Sequence, residues 1–210
     1  MYNLPYFKEK DEAVVLDFVR QHPFAFLCGS NSNSPVVTQI PVFTDERDGK
    51  IFLSGHMMRN SDHHKAFVQN SEVLAVFTGA NHYVSASWYE NKQQGSTWNY
   101  QSVHMRGKLS FLDEKDLIDV LKRTTAHFEN DPNSGANFDD LPESYIQSLI
   151  KAIVAFSIEV IHIDNVFKLS QNRDQKSYEN IIMQLRSKDA DAIKIAEQME
   201  LRKSKLFPHE

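Results

Sequence analysis

The run from Thr97 to Phe111, TWNYQSVHMRGKLSF, reads as one long β-strand, and it constrains this chain more than any other stretch. Successive strand residues point to opposite faces. Val103, Met105, Leu109 and Phe111 therefore share one face, and Trp98, Tyr100, Ser102, His104 and Arg106 share the other. The first face is ordinary core. The second is aromatic and hydrogen-bonding at once, which a strand facing only water rarely is. Two readings account for it: a flat group with polar edges lies against it, or it is barrel core or a dimer seam. The surrounding stretch Ser85–Gly107 holds both tryptophans and Tyr89, with Tyr83 just upstream, and its polar segment Glu90–Ser96 reads as an exposed turn. It contains no nucleophile–base pair at a recognisable spacing, so it argues for binding before chemistry.

The rest of the chain supplies short strands and peripheral helices. Asp11 opens a helix with Val14, Val15, Phe18 and Val19 on one face, ended by His22-Pro23. Strands are expected over Phe24–Cys28, Val36–Phe43, Ile51–Gly55 and Glu72–Phe77, with Gly79 as punctuation. The loop Gly29–Pro35 joins the first two, and Thr44–Lys50 is a hairpin turn with Asp48-Gly49 at its tip. A short helix covers Ser61–Gln69. A longer one runs from Asp113 to Phe128, with Leu117, Ile118, Leu121 and Thr125 as its stripe. The loop Glu129–Leu141 follows, and Pro142 then sits in the first turn of a helix that buries Tyr145, Ile146, Leu149, Ile150 and Ile153. Phe156–Ile163 is the last strand. Two helical runs end the chain, one with Tyr178, Ile181, Ile182 and Leu185, the other with Ile193, Ala196 and Met199. Six or seven strands with helices around them predict an α+β domain centred on a β-barrel.

Composition narrows the function classes. The 23 Lys and Arg against 28 Asp and Glu leave a net charge of −5, which disfavours a broad duplex-DNA surface. The amino-terminal residues lack the apolar core of a signal peptide, and no apolar run nears the roughly 20 residues of a membrane span. The single Cys28 allows no internal disulfide, so a cytoplasmic home is expected. The adjacent His63 and His64 would point about 100° apart on a helix, and no HxxxH spacing occurs, so no metal is expected. Neither GxGxxG nor GxxxxGK[ST] is present.

Two segments suit an anionic cofactor. In LSGHMMRNSDHHK, residues Ser54, His56, Arg59 and Asn60 lie between a strand end and a helix start, with Lys65 about one turn in. Free amides at a helix N-terminus together with two cations suit a terminal phosphate, while a solvated turn is the alternative. In VFKLSQNR, residues 166 to 173 gather donors that line a cofactor edge or cap the next helix, with Asp174 as N-cap.

The order of these motifs resembles the PaiB family, described as FMN-binding negative transcriptional regulators with a split-barrel fold. The resemblance rests on Pro23-Phe24-Ala25; Gly55-His56 with Arg59, Asn60 and Lys65; Ser87-Trp88-Tyr89; Thr97-Trp98-Asn99-Tyr100; Val103-His104; and Lys168-Leu169-Ser170-Gln171-Asn172-Arg173. The chain departs from the pattern at Gly95-Ser96, at Phe167 where a Trp is usual, and at Gln39 where a His is common.

The resemblance implies an FMN-binding split β-barrel similar to pyridoxamine-phosphate oxidases and flavin reductases, over residues 1–170, with a C-terminal helical extension over 171–210 packed on it. It implies a homodimer that binds FMN. The cofactor-binding set becomes Ser54, His56, Met57, Arg59, Asn60 and Lys65 for the phosphate side. Trp98, Asn99 and Tyr100 belong to the ring, with Lys168, Ser170, Gln171 and Asn172 along its edge. No catalytic side chain is expected. Two functions are compatible with that set: a regulator that holds FMN and touches DNA weakly or not at all, and an FMN-dependent oxidoreductase or flavin reductase using NAD(P)H. For the first, the only candidate DNA patch is the run Arg186–Lys205 with Arg202, Lys203 and Lys205, whose charges also suit a solvated helix face.

Overall fold

Five helices begin one residue after a side chain that accepts a hydrogen bond from their own first turn, which is why they start where they do. In the computed structural model, Asp11 accepts from Ala13 ahead of α1 (Glu12–Gln21), and Ser61 from His64 ahead of α2 (Asp62–Gln69). Asp113 does the same for α3 (Glu114–Glu129). The helix α4 (Glu143–Ala152) instead follows Pro142, which stands at the N-cap rather than inside the first turn. Asp174 precedes α5 (Gln175–Leu185) and Asp189 precedes α6 (Ala190–Leu206), each as N-cap. The structure describes residues 1–2, 4–31, 34–131 and 133–208. Ser32 and Asn33 of the expected loop Gly29–Pro35, and Pro132 of the loop Glu129–Leu141, lie outside the described residues.

Seven strands form one sheet: β1 (Phe24–Ser30), β2 (Pro35–Pro41), β3 (Phe43–Arg47), β4 (Lys50–Met58), β5 (Glu72–Val84), β6 (Thr97–Phe111) and β7 (Ile153–Lys168). Their order is β2-β1-β5-β6-β7-β4-β3, with β1 antiparallel to β2 and β5, and β4 antiparallel to β3 and β7. The bounds of β6 are those expected.

Other bounds differ, each for a physical reason. The single strand expected over Val36–Phe43 breaks at Val42, whose N–H leaves the ladder to donate to the Pro23 carbonyl at 2.9 Å. Phe43 then starts β3, through residues expected to be turn. Asp45, Glu46 and Arg47 hide the strand because they are charged, yet Asp45 accepts from Arg123 at 2.8 Å and Arg47 lies 4.8 Å over the Phe52 ring. Only Asp48-Gly49 turns, both at positive φ (51° and 72°), as a two-residue hairpin demands. The last strand is twice its expected length, because the polar pair Asp164-Asn165 masks its second half. Asn165 exchanges two hydrogen bonds with the backbone of Glu9, at 2.8 and 3.0 Å, and so pairs the way a strand backbone would. Gly79 lies inside β5 rather than ending it.

The chain divides into two compact units interleaved in sequence: Met1–Phe18, Thr78–Val103 and Asp164–Glu210 form one, and Val19–Phe77 with His104–Ile163 form the other. In the second unit, Leu27, Leu53, Phe77, Met105, Phe156 and Ile158 are fully buried. The sheet curls there: a Cβ on Gly55 of β4 would stand 2.8 Å from the Pro41 carbonyl of β2, although the two strands are not ladder neighbours. In α3, Leu117, Val120 and Leu121 pack with Phe138, Ile150, Ile153 and Ala155.

The first unit is built on the α5–α6 hairpin. Tyr178, Ile181, Ile182 and Leu185 pack on Ala192, Ile195, Ala196 and Met199, with Val84, Tyr89 and Leu169 beneath. Ile193, expected in that stripe, is 39% exposed, so the buried face of α6 lies to one side of it. In the same unit Asn99 and Gln101 are buried on the odd-numbered face of β6, where the apolar alternation would place core residues.

Candidate functional site

Two groups of residues carry the candidate chemistry, one in each unit. In the unit that holds β4, Ser54 is buried and its hydroxyl donates to Asp45 at 3.3 Å, so it supports the Asp45–Arg123 pair. Met57 is buried in the core. His56 is half-buried, and that burial lowers its pKa, leaving a neutral imidazole at pH 7. After β4 the chain turns at Arg59 and Asn60. The Arg59 N–H donates to the Ala152 carbonyl at 2.8 Å, and Asn60 adopts φ of 62°, a left-handed conformation that asparagine tolerates.

The side chains of Arg59 and Lys65 are exposed, and among the described residues no ion pair engages either. Both bear on His64, whose pKa is lowered first by burial and then by Arg59, His63 and Lys65. Two free cations therefore flank one short turn. The helix contributes less than expected. The His63 amide donates to Asp62 at 2.7 Å and the His64 amide to Ser61 at 3.3 Å, so those first-turn amides of α2 are not free for an anion. Any anion held here is held by the two side chains.

In the other unit, Trp98 is 53% exposed and meets Tyr83, 45% exposed, edge to face at 6.2 Å. Tyr100 is half-buried, and its hydroxyl pKa is raised by burial and by neighbouring Tyr2. Asn99 is fully buried; it accepts from the Ser170 hydroxyl at 3.0 Å and donates to the Met199 sulfur at 3.5 Å. Gln171 closes its own loop, accepting from the Leu169 N–H at 2.7 Å and donating to the Phe167 carbonyl. Asn99, Ser170 and Gln171 thus shape the strand ends from inside. The side chains left at the surface are Trp98, Asn172 and, in part, Lys168. Phe167, where a Trp is usual in the resembled pattern, is buried against Phe18 at a ring distance of 5.2 Å.

Sequence reasoning gave Tyr2 no role at a site, and it placed Arg173 in the donor string after the last strand but not in the cofactor-binding set. Tyr2 has no periodic signal, being outside any strand or helix, and only the fold brings it beside Lys168. It also missed an apolar face on β1, β2 and β5. Phe24 (59% exposed), Phe26 (37%) and Val37 (57%) project from it, and Phe26 pairs with Val76 while Cys28 pairs with Val37 and Leu74.

Residues 1–162 match the family described as "Putative FMN-binding domain". The chain is 32% identical over 201 residues to the protease synthase and sporulation protein PAI 2 of Bacillus subtilis, covering 95% of this chain and 97% of that one. Among solved structures it is similar to the FAD and heme binding protein from Mycobacterium smegmatis, with TM-score 0.57, 16% identity, and coverage of 76% of this chain and 72% of that one. The flavocytochrome Anf3 from Azotobacter vinelandii gives TM-score 0.57 at 15% identity, covering 80% and 72%. With the sheet order above, these likenesses bear out the expected α+β split barrel with peripheral helices.

Proposed function

This chain belongs to the PaiB family of FMN-binding split-barrel domains, and on that premise we propose that it is a homodimeric FMN carrier that influences transcription without sequence-specific DNA contact. FMN is its cofactor, and the residues present suit it. In one unit Arg59 and Lys65 suit a phosphate; in the other, the face of Trp98 and Tyr100, bordered by Lys168, suits a flavin ring. When bound, the flavin supplies redox chemistry, while these side chains bind and orient it.

The observation that carries the indirect role is the state of the C-terminal cations. Arg186 pairs with Glu200 at 3.3 Å, Arg202 with Glu9 at 3.4 Å and Lys203 with Glu179 at 2.9 Å. Three of the six cations in the basic run the sequence offered to DNA are thus neutralised within the protein, on a chain already at −5. Electrophoretic shifts at about 150 mM salt should give dissociation constants of roughly micromolar or weaker, steeply salt-dependent and alike for random and promoter-length duplexes. Nanomolar, sequence-selective binding by the FMN-loaded protein would overturn the indirect role.

The dimer is supported by the apolar face of Phe24, Phe26 and Val37, which a lone chain leaves in water. Light scattering at micromolar concentration should return twice the chain mass; a monomer alone would refute it. The half-exposed Trp98–Tyr83 pair favours a second reading, an FMN-dependent oxidoreductase using NAD(P)H, because it leaves a flat aromatic surface open to a second ring. FMN-dependent NADH or NADPH oxidation would decide for that reading.

A further inference from the structure

Among the partly buried cations of the unit containing Trp98, Lys168 and Arg173 have no acidic partner among the described residues. Lys168, at the end of β7, donates to the Thr97 hydroxyl and to the Trp98 carbonyl at 3.0 Å, with the rings of Tyr2 and Phe7 at 5.6 and 5.9 Å. Arg173 donates to the Gln94 side-chain oxygen and lays its guanidinium on the Tyr89 ring at 4.1 Å; its Nε is buried with no acceptor. All the acceptors here are neutral. Elsewhere in the unit Lys8, Lys176, Arg186, Arg202 and Lys203 each face a carboxylate.

The two charges are close enough to oppose one another: the Lys168 pKa is held below its ordinary value first by burial and then by Arg173. Asp174, the acid adjacent to Arg173, does not relieve them, because it accepts from the amide and hydroxyl of Ser177 at 2.8 and 2.7 Å. Partly desolvated cations without a counter-ion are costly. Both border the segment Gln94–Trp98, and an anion placed there would satisfy them together.

We propose that Lys168 and Arg173 form a binding site for a phosphoryl group belonging to a ligand other than FMN. A phosphoryl group matches the pair because it carries up to two negative charges and takes both a guanidinium fork and a point-charge ammonium. The rings of Tyr2, Phe7 and Tyr89 give such a group apolar walls. Its source is either free phosphate or a phosphorylated nucleotide. Only the distinction from the FMN phosphate rests on the assignment of that phosphate to Arg59 and Lys65.

The test is calorimetric titration of the full chain, FMN-loaded and flavin-free, with inorganic phosphate, NADPH and NADH. The variants are Lys168→Gln, Arg173→Gln and the charge-keeping Arg173→Lys, with Lys188→Gln as a distant control. Saturable phosphate binding is expected in both forms. It should weaken by about tenfold in each Gln variant, stay within about threefold in Arg173→Lys, and remain unchanged in the control. FMN affinity should move by less than about twofold in the two Arg173 variants and in the control. NADPH binding about tenfold tighter than NADH would identify a nucleotide phosphate as the source, and equal affinities with phosphate still bound would identify the free ion. Absence of saturable phosphate binding, or binding unchanged in the Gln variants, overturns the site. So does a tenfold loss of FMN without a matching loss of riboflavin, because the pair would then hold the cofactor's own phosphate. Should FMN itself fail to bind, the flavin-free titrations still report on the pair.

Discussion

Gly107→Ala is expected to lower the stability of this protein by at least about 3 kcal/mol, or roughly 6–12 °C in Tm for a chain of this size. The residue needs no unusual backbone; it needs space. A Cβ there would stand 2.3 Å from the Glu159 carbonyl oxygen, 2.7 Å from the Ile158 side chain and 3.0 Å from the Glu159 carbonyl carbon. Two of those three atoms are main chain, so no rotamer change relieves the contact. Nor can β7 retreat cheaply, because Glu159 pairs with Phe52 of β4 on its other side and the Lys50–Glu159 ion pair closes the same edge at 2.6 Å. The internal control is Gly95→Ala, where no atom lies within 4 Å of the added methyl, and the expected change is close to zero. Thermal unfolding followed by circular dichroism measures both. A Gly107→Ala protein melting within about 2 °C of wild type would show that β6 and β7 are not packed this closely.

Replacing Arg59 and Lys65 together with alanine is expected to weaken FMN by about a hundredfold or more, while riboflavin loses little. Both side chains are exposed and carry no ion pair among the described residues, so removing them leaves no buried partner stranded and the fold should persist. Each charge-assisted contact to a phosphate contributes about 1.5–3 kcal/mol, and two of them give that range. Because His63 and His64 have their amides engaged by Asp62 and Ser61, the helix amides cannot compensate for the lost side chains. Fluorescence quenching of the two flavins is the measurement. Equal losses for FMN and riboflavin would place the phosphate elsewhere, and the Lys168–Arg173 pair would then be the first position to examine.

Much of the fold was legible because local rules act on adjacent residues. The caps Asp11, Ser61, Asp113, Asp174 and Asp189 are each an oxygen-bearing side chain one position before an apolar periodicity, and each opens a helix. The bounds of β6 followed from alternation alone. Alternation failed where the ladder partner is charged or polar. Asp45 in β3 and Asp164-Asn165 in β7 look like loop until Arg123, Lys8 and the Glu9 backbone are brought against them.

The candidate site divides in the same way. By itself the sequence determined which residue types gather near the strand ends: two cations in a polar turn after β4, an aromatic face on β6, and a string of donors after β7. That information is local, carried by residues a few positions apart. Only the tertiary structure decided which of those donors remain available. Asn99 and Ser170 lie 71 positions apart and bond to each other, Gln171 turns back on its own loop, and Lys168 meets Tyr2 from the far end of the chain. A polar side chain offers the same atoms whether buried or exposed, so its availability depends on what distant segments place beside it, and that is fixed by packing rather than by spacing.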